Sequence, residues 1–291
     1  MASSTTTSTP TPTPAPGTAA AAFDKSSEVY ERMTGGCTRE VAKFLLTLDP
    51  KVDSSSVILD NACGTGIMAE EILGLFRDAA KPKIHAADLA PSMISNFAAK
   101  AKIKGWVVDG NGGDLLTVEV MDAEDLTYPN NTFTHSYTNL GFPFFPHAEK
   151  AAEHVYRTLQ LGGTAFVSTW KTLGYMGPLQ EAQRAVRPNE APWESPMPKD
   201  WYTQEKLTQV LVSAGFETEK IQILTKSVGY RGKDLGDLLD IVKTGFLAIV
   251  TNGWSEEEKE QWVKELPNAL TEQEKESASI EMVAWIAVAQ K

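Results

Sequence analysis

Two acids and two glycines, Asp60, Gly64, Gly66 and Asp88, have the types and spacing that hold a nucleotide cofactor. In the run Val57-Ile58-Leu59-Asp60-Asn61-Ala62-Cys63-Gly64-Thr65-Gly66, three apolar residues predict a buried strand, and an acid closes it. The glycines after it let the backbone turn tightly and approach a ligand that a Cβ would push away. Gly64-Thr65-Gly66-Ile67-Met68-Ala69 fits the dinucleotide pattern G-x-G-x-x-G/A. Asp88 stands near the offset of ~20 residues at which an acid holds a ribose, so a nicotinamide dinucleotide passes this test. Asp60 shifts the balance. A pyrophosphate at such a loop needs N–H groups and no neighbouring anion, whereas a carboxylate suits a ligand that carries an ammonium group.

The elements that would position these residues are legible. Met68, Ile72, Leu75 and Phe76 recur at i, i+4, i+7 and i+8, one apolar stripe of a helix lying on a sheet. Lys83-Ile84-His85-Ala86-Ala87-Asp88 and Val118-Glu119-Val120-Met121-Asp122 are further apolar runs ending in acids, and Phe133 to Asn139 is a fourth strand. A helix with Ala148, Ala151, Ala152, Val155 and Leu159 on one face comes next, then Leu161-Gly162-Gly163-Thr164 and a strand from Ala165 to Trp170. The chain closes on the apolar run Met282 to Ala289. Strand-helix units repeated in this order predict an α/β fold.

S-adenosylmethionine carries an ammonium group and a sulfonium, and the chain resembles the class I methyltransferases that use it. Their first motif is apolar-apolar-acid-x-Gly-x-Gly-x-Gly, with Ala62 here in place of the first glycine. Within that family the chain looks closest to the ubiquinone-biosynthesis-like methyltransferases and their fungal small-molecule relatives. The resemblance covers roughly residues 25 to 170 and the last strand. It implies a doubly wound, mostly parallel seven-stranded sheet with an antiparallel last strand, plus helical cap insertions. It also implies that Ala62, Gly64, Thr65 and Gly66 lie along the methionine part of the cofactor, with Asp60 acting on its amino group. Asp88 would grip both ribose hydroxyls, with Leu89 and Met93 among the cofactor contacts, and Asp122 and Ala123 would meet the adenine. Tyr30, Met33 and Thr34 would line a lid over the cofactor, and Asn139 and Tyr137 would stand between cofactor and substrate.

Composition bounds the rest. A chain of 291 residues with 42% hydrophobic residues can build one large domain with a cap. The net charge of −11 and the lack of a basic cluster speak against a nucleic-acid substrate. Lys81, Lys83, Lys100, Lys102 and Lys104, the densest basic group, read as a solvated face. The family's nucleic-acid nitrogen motif is replaced after the fourth strand by Asn139-Leu140-Gly141-Phe142. Residues 1–22 read as a disordered tail with no targeting signature, which predicts a cytoplasmic protein, and no run is long enough for a membrane span. Cys37 and Cys63 cannot build a disulfide framework, and Cys63 reads as a small residue in a crowded turn. Four histidines show no metal-ligand spacing, so no metal is expected.

The substrate side departs from the minimal fold. Insertions at about 171–202 and 232–279 predict a cap over an acceptor, within a domain of residues 23–291. Phe142, Phe144, Phe145, Trp170, Tyr175, Met176, Trp193, Phe246 and Trp254 are the pocket candidates, and together they suggest an apolar or aromatic small molecule. Methyl transfer is an in-line displacement that depends mostly on positioning. A phenol or thiol acceptor still gains from a base, and His147, His135 and Tyr137 are the candidates, His147 the best placed. The expected enzyme is a methyltransferase acting at oxygen, sulfur or nitrogen, as a monomer or homodimer, in secondary metabolism. The alternative is a cofactor-binding protein that transfers nothing: a regulator, or a pericyclic or isomerising enzyme.

Overall fold

The computed structural model describes residues 19–26, 29–77, 79–106 and 115–291. Seven strands form one sheet: β1 Val57–Asn61, β2 Lys83–Asp88, β3 Leu116–Val120, β4 Phe133–Asn139, β5 Leu159–Thr172, β6 Ile221–Arg231 and β7 Ser279–Gln290. Their spatial order is β3-β2-β1-β4-β5-β7-β6. The chain winds outward from β1 to β3, then returns to the other side of β1 as β4, making a topological switch point between β1 and β4. In such sheets ligands bind outside the carboxyl ends of the strands at that point. β7 is antiparallel to both β5 and β6, as expected of the closing strand.

Eleven helices are described: α1 Ala19–Ser26, α2 Tyr30–Met33, α3 Cys37–Leu45, α4 Ile67–Leu75, α5 Pro91–Ile103, α6 Ala148–Thr158, α7 Met176–Val186, α8 Gln204–Ser213, α9 Leu235–Val250, α10 Glu256–Ala269 and α11 Glu272–Ser277. Helix α4 buries Met68 and Ile72 of the expected stripe, with Leu73 in place of Leu75, which is 62% exposed; Phe97 of α5 is fully buried with them. Strands β1, β2, β4 and β5 bring Asn61, Ala87, Asn139 and Ser168 to one edge by register: Asn61 pairs with Ala87, and Asn139 with Ser168.

Two local expectations change. The glycine turn does not precede the fifth strand but lies inside it, because Gly162 donates to the Lys291 carbonyl at 3.0 Å and the Lys291 N–H donates to Gly163 at 2.9 Å. Leu159 pairs with Phe133 and Thr164 with His135, so the residues between bulge out of the ladder. Of the expected tail, residues 1–18 lie outside the described residues, whereas 19–22 begin α1. The C-terminal half of that alanine-rich helix docks it: the Phe23 ring stands edge-on to Phe144 at 5.0 Å and to Tyr30 at 5.9 Å. The Asp24 carboxylate accepts the Ser92 N–H at 2.8 Å at the start of α5.

The insertions fold as helices. Residues 171–202 hold α7, and 232–279 hold α9, α10 and α11. Trp262 of α10 is fully buried and its indole N–H reaches the Leu179 carbonyl of α7 at 3.4 Å. Among the described residues no helix is long and apolar enough to cross a membrane.

Candidate functional site

The loop after β1 is built on backbone conformations that few side chains tolerate. Ala62, Gly64 and Gly66 all have positive φ, at 54°, 53° and 82°. At Gly66 a Cβ would stand 2.5 Å from Cζ of the buried Phe97 ring, so the residue must be glycine for space as well as conformation. At Gly64 the nearest atom to a Cβ would be Tyr30 Cε1, 4.0 Å away, so that face of the loop is bare and roofed by the Tyr30 ring. Cys63 donates its N–H to the Ala87 carbonyl at 3.0 Å, which fixes the loop to the end of β2. Burial, with Asp60 and Asp88 beside it, pushes the Cys63 thiol well above its usual range. It therefore stays protonated, as the reading of an inert small residue requires.

Asp60 is 1% exposed and accepts one hydrogen bond, from the Ala69 N–H at 3.2 Å. Burial raises its carboxyl to about 7, and the neighbouring Asp88 adds repulsion. Both oxygens of Asp88 are engaged, Oδ2 by the Gly64 N–H at 2.8 Å and Oδ1 by the Ala90 N–H at 2.9 Å. Burial raises this carboxyl too, against those two bonds. Neither acid has an ion-pair partner among the described residues. A buried and a half-buried carboxylate at one loop make it a seat for a cation and a poor one for a pyrophosphate. Past Asp88, Leu89 is half-buried and Met93 is 2% exposed on the inner side of α5. Asp122 accepts the Glu124 N–H at 2.8 Å, which caps the short turn Ala123–Asp125 and presents Ala123 at the end of β3.

Several predicted residues are placed elsewhere. Tyr137 does not reach the site. It is 1% exposed, its ring stacks on Phe166 at 4.8 Å with the His135 ring 6.3 Å away, and burial alone pushes its phenol above its ordinary value. Strand register puts Tyr137 beside Asp60 on one face of the sheet, and there its ring is sealed in the stack with Phe166. His147 is exposed at the start of α6, where its N–H donates to Glu124 Oε1 at 2.6 Å and its carbonyl accepts from Ala151 at 3.2 Å. That is the position of a helix cap, so His147→Ala is expected to change turnover by less than about twofold between pH 6 and 9. A pH-dependent tenfold fall in kcat would return it to the chemistry. Asn139 spends both ends on structure: Nδ2 donates to the Thr38 carbonyl at 3.1 Å and Oδ1 accepts the Ser168 hydroxyl at 2.8 Å. Phe142 is fully buried between Phe145 and Trp201, a core residue rather than a pocket wall. Trp254 is covered by the Arg187 guanidinium at 4.5 Å, at the far end of α7. An 11-residue helix carries that end roughly 16 Å from Met176.

Other candidates do converge on the carboxyl edge of the sheet. Phe145 remains half-buried, close to Ala62 across Gly141, and Trp170 is 9% exposed at the end of β5. The Tyr175 ring lies 4.5 Å from Phe246 and 5.7 Å from Tyr230, with Trp193 6.2 Å from Phe246. Met176, half-buried, opens α7 beside them. Tyr230 had no sequence signal; it sits at the end of β6 and its hydroxyl donates to the Met33 carbonyl at 2.8 Å, which joins this aromatic group to α2. Met33 thus meets the site through its backbone, and Thr34 turns its hydroxyl back to the Glu31 carbonyl at 2.9 Å. Thr65 gives its hydroxyl to Glu31 at 2.9 Å, a partner outside the loop that sequence did not suggest. Among the described residues no group of three His, Cys, Asp or Glu side chains could hold a metal ion.

Comparison with known proteins gives the same frame. Residues 58–163 match the family model described as a methyltransferase domain. The chain is 25% identical over 222 residues to methyltransferase tpcH of Aspergillus fumigatus, spanning 74% of this chain and 75% of that protein. It is 24% identical over 244 residues to the acetylaranotin bis-thiomethyltransferase of Aspergillus terreus, spanning 80% of each. Among solved structures, the 4+2 cyclase SpnF superposes with a TM-score of 0.56 over 97% of this chain and 99% of that one. At 16% identity that likeness shows the fold alone.

Proposed function

We propose that this chain, a class I S-adenosylmethionine-dependent methyltransferase, methylates a small, largely apolar or aromatic metabolite at oxygen, sulfur or nitrogen in secondary metabolism. The observation that carries the substrate class is the group of rings Tyr175, Tyr230, Phe246 and Trp193 at the carboxyl edge, tied through Met33 to the segment that covers the cofactor loop. Rings there offer flat apolar walls, with Tyr230 backing the group from the core while its hydroxyl holds the Met33 carbonyl.

The loop suits the cofactor on the chemistry of its own groups. Asp60 is a buried carboxylate and Asp88 a half-buried one, both in need of a cation or hydroxyl donors, and Gly64 leaves its backbone bare under the Tyr30 ring. In this reading Asp60 attracts the ammonium group, Asp88 takes the ribose hydroxyls with lone pairs its two backbone bonds leave over, and Asp122 with Ala123 meets the adenine. The cofactor, when bound, supplies an electrophilic methyl on a sulfonium. What the chain supplies is position: Tyr30 covers the loop, Phe145 and Trp170 border the edge, and the ring group holds the acceptor and excludes water. No residue is required as a base where the acceptor is a thiol or an acidic phenol, which ionises without help near neutral pH.

Two measurements check this. Asp88→Ala is expected to weaken S-adenosylmethionine binding by ~1–3 kcal/mol, the cost of leaving ribose hydroxyls unpaired; equal calorimetric affinity would remove Asp88 from the site. Mass spectrometry of phenols, thiols, amines and carboxylic acids incubated with the protein and S-adenosylmethionine should show one class gaining a methyl group with matching S-adenosylhomocysteine. Exclusive methylation of highly charged acceptors would overturn the apolar substrate class.

A further inference from the structure

Glu31 makes three hydrogen bonds that no motif announces. Its Oε1 accepts the Thr65 hydroxyl at 2.9 Å and Lys100 Nζ at 2.6 Å, and its Oε2 accepts Arg39 Nη2 at 2.8 Å. These four side chains come from four places: α2, the loop after β1, α5 and α3. Arg39 continues to Glu70 at 2.9 Å and Glu71 at 2.6 Å on α4, and Lys100 to Glu70 at 3.3 Å. Burial pushes the Glu31 carboxyl up, but the bonds from Lys100, Arg39 and Thr65 outweigh it and hold it below the usual range. It is therefore ionised at neutral pH.

Helix α2 cannot hold itself in place. It has four residues, none of them buried, and no side-chain cap, and an isolated helix so short does not form in water. Three consecutive residues tether it instead. Glu31 reaches the loop, Arg32 reaches Asp237 and Asp240 on α9 at 2.9 and 2.7 Å, and the Met33 carbonyl takes the Tyr230 hydroxyl. Of the three, only Glu31 bonds the loop that carries Gly64 and Gly66. Its neighbour Tyr30 is the residue whose ring covers Gly64.

We infer that Glu31 is a positioning residue that latches α2, and with it Tyr30, onto the cofactor loop through Thr65, and so sets how fast the cofactor leaves. The inference rests on reading the loop of Asp60 to Gly66 as the cofactor seat. The form of the latch suits repeated opening. Its charged side chains, Glu31, Arg39, Lys100 and Glu70, are 20–38% exposed, so water and salt compete for their ion pairs, and a segment held largely by polar tethers, with Tyr30 and Met33 only half-buried, opens without unfolding the core. A packed hydrophobic lid would open only at much greater cost.

Stopped-flow release of S-adenosylhomocysteine from the full chain tests it. Glu31→Gln, which keeps the shape and one acceptor oxygen, is expected to speed release about tenfold, and Thr65→Val about threefold. The effects of the two substitutions should be less than additive, since both act on the one contact between Glu31 and Thr65. Raising salt should speed release from the wild type more than from Glu31→Gln, in which α2 keeps only the Arg32 ion pairs to α9. Hydrogen exchange in the protein without cofactor supplies a second readout. The Met33 and Thr34 amides, which donate to Val29 and Tyr30, should exchange faster in Glu31→Gln while the amides of β4 keep their protection. Release within twofold of wild type, or additive effects of the two substitutions, overturns the latch. Faster exchange throughout the sheet would make Glu31 a general stabiliser and overturns it as well. A wild type that binds no S-adenosylhomocysteine would sink the cofactor reading instead, and exchange at Met33 and Thr34 would still decide whether Glu31 holds α2.

Discussion

Asp60→Asn should make the free protein more stable above neutral pH while removing most of its affinity for S-adenosylmethionine. The carboxyl is 1% exposed, receives only the Ala69 N–H among the described residues, and is lifted by burial to about 7 from an ordinary value near 3.8. A pKa raised in the folded state contributes stability that is whole below the unfolded value and is lost as pH rises through the folded one. The loss thus begins near pH 4 and is complete above pH 7, where holding the charge in the interior costs on the order of 4 kcal/mol. Asparagine keeps an acceptor for Ala69 and carries no charge. Urea denaturation is therefore expected to show a gain of about 2–4 kcal/mol for the variant at pH 8, shrinking steadily toward pH 4. The same substitution deletes the anion offered to the ammonium group, and calorimetric affinity should fall at least tenfold at pH 8. In the wild type, affinity should rise with pH up to about 7 as Asp60 ionises. A stability difference flat with pH would mean that Asp60 is not a buried charge at all, and unchanged affinity would take it out of the site. The opposed signs are what a functional residue predicts: stability given up for a charge that only a ligand neutralises.

Gly66→Ala is the second substitution with a large effect, and its effect is on the fold. Alanine at φ 82° costs about 1–2 kcal/mol in backbone strain. Its Cβ would also press on the Phe97 ring, which is fully buried and cannot swing away. Overpacking of this kind costs typically 1–3 kcal/mol more. The sum, about 2–5 kcal/mol, is a large part of the stability of an ordinary domain. Denaturant titration should show that loss, and Phe97→Leu added to Gly66→Ala should recover part of it by giving the methyl room. A loss under about 1 kcal/mol, or a double variant worse than the sum of its parts, would show that the loop yields rather than Phe97. Gly64 makes the contrast. There a Cβ meets only the Tyr30 ring at contact distance, so alanine strains the backbone without crowding the core, and its larger effect should be on cofactor binding.

Much of this was readable from residues alone because it is local. An apolar run, an acid and two glycines specify a strand and a tight turn wherever they occur, and the stripe of α4 specifies which side it lies on. The order of the strand-helix units then leaves few topologies, and the closing apolar run finds its place between β5 and β6. The acids near the ends of β1 and β2 are legible for the same reason: each closes an apolar run, and the run's end places it near the carboxyl edge of the sheet. The rings were harder to read. Phe142 and Phe145 are three residues apart in one short turn, yet one is sealed in the core and the other half-exposed beside Ala62, and nothing in their sequence distinguishes them.

Tertiary structure alone decided the roles that depend on a partner distant in sequence. Lys100 reads as one of five solvated lysines, but α5 packs so that its ammonium lies 2.6 Å from Glu31, 69 residues away, with its side chain 21% exposed. Tyr137 reads as a site residue because it stands near the end of β4, and pairing with β1 and β5 turns it into a sealed ring stack with Phe166. Trp254 reads as part of a cap, and the length of α7 carries it to the wrong end. Sequence determined the glycine loop after β1 and the sheet because short-range sterics and the period of apolar residues fix them. Which side chains meet across the fold, Glu31 with Thr65 or Tyr230 with Met33, was set by how separately specified elements pack, and that information is carried by no single stretch of the chain.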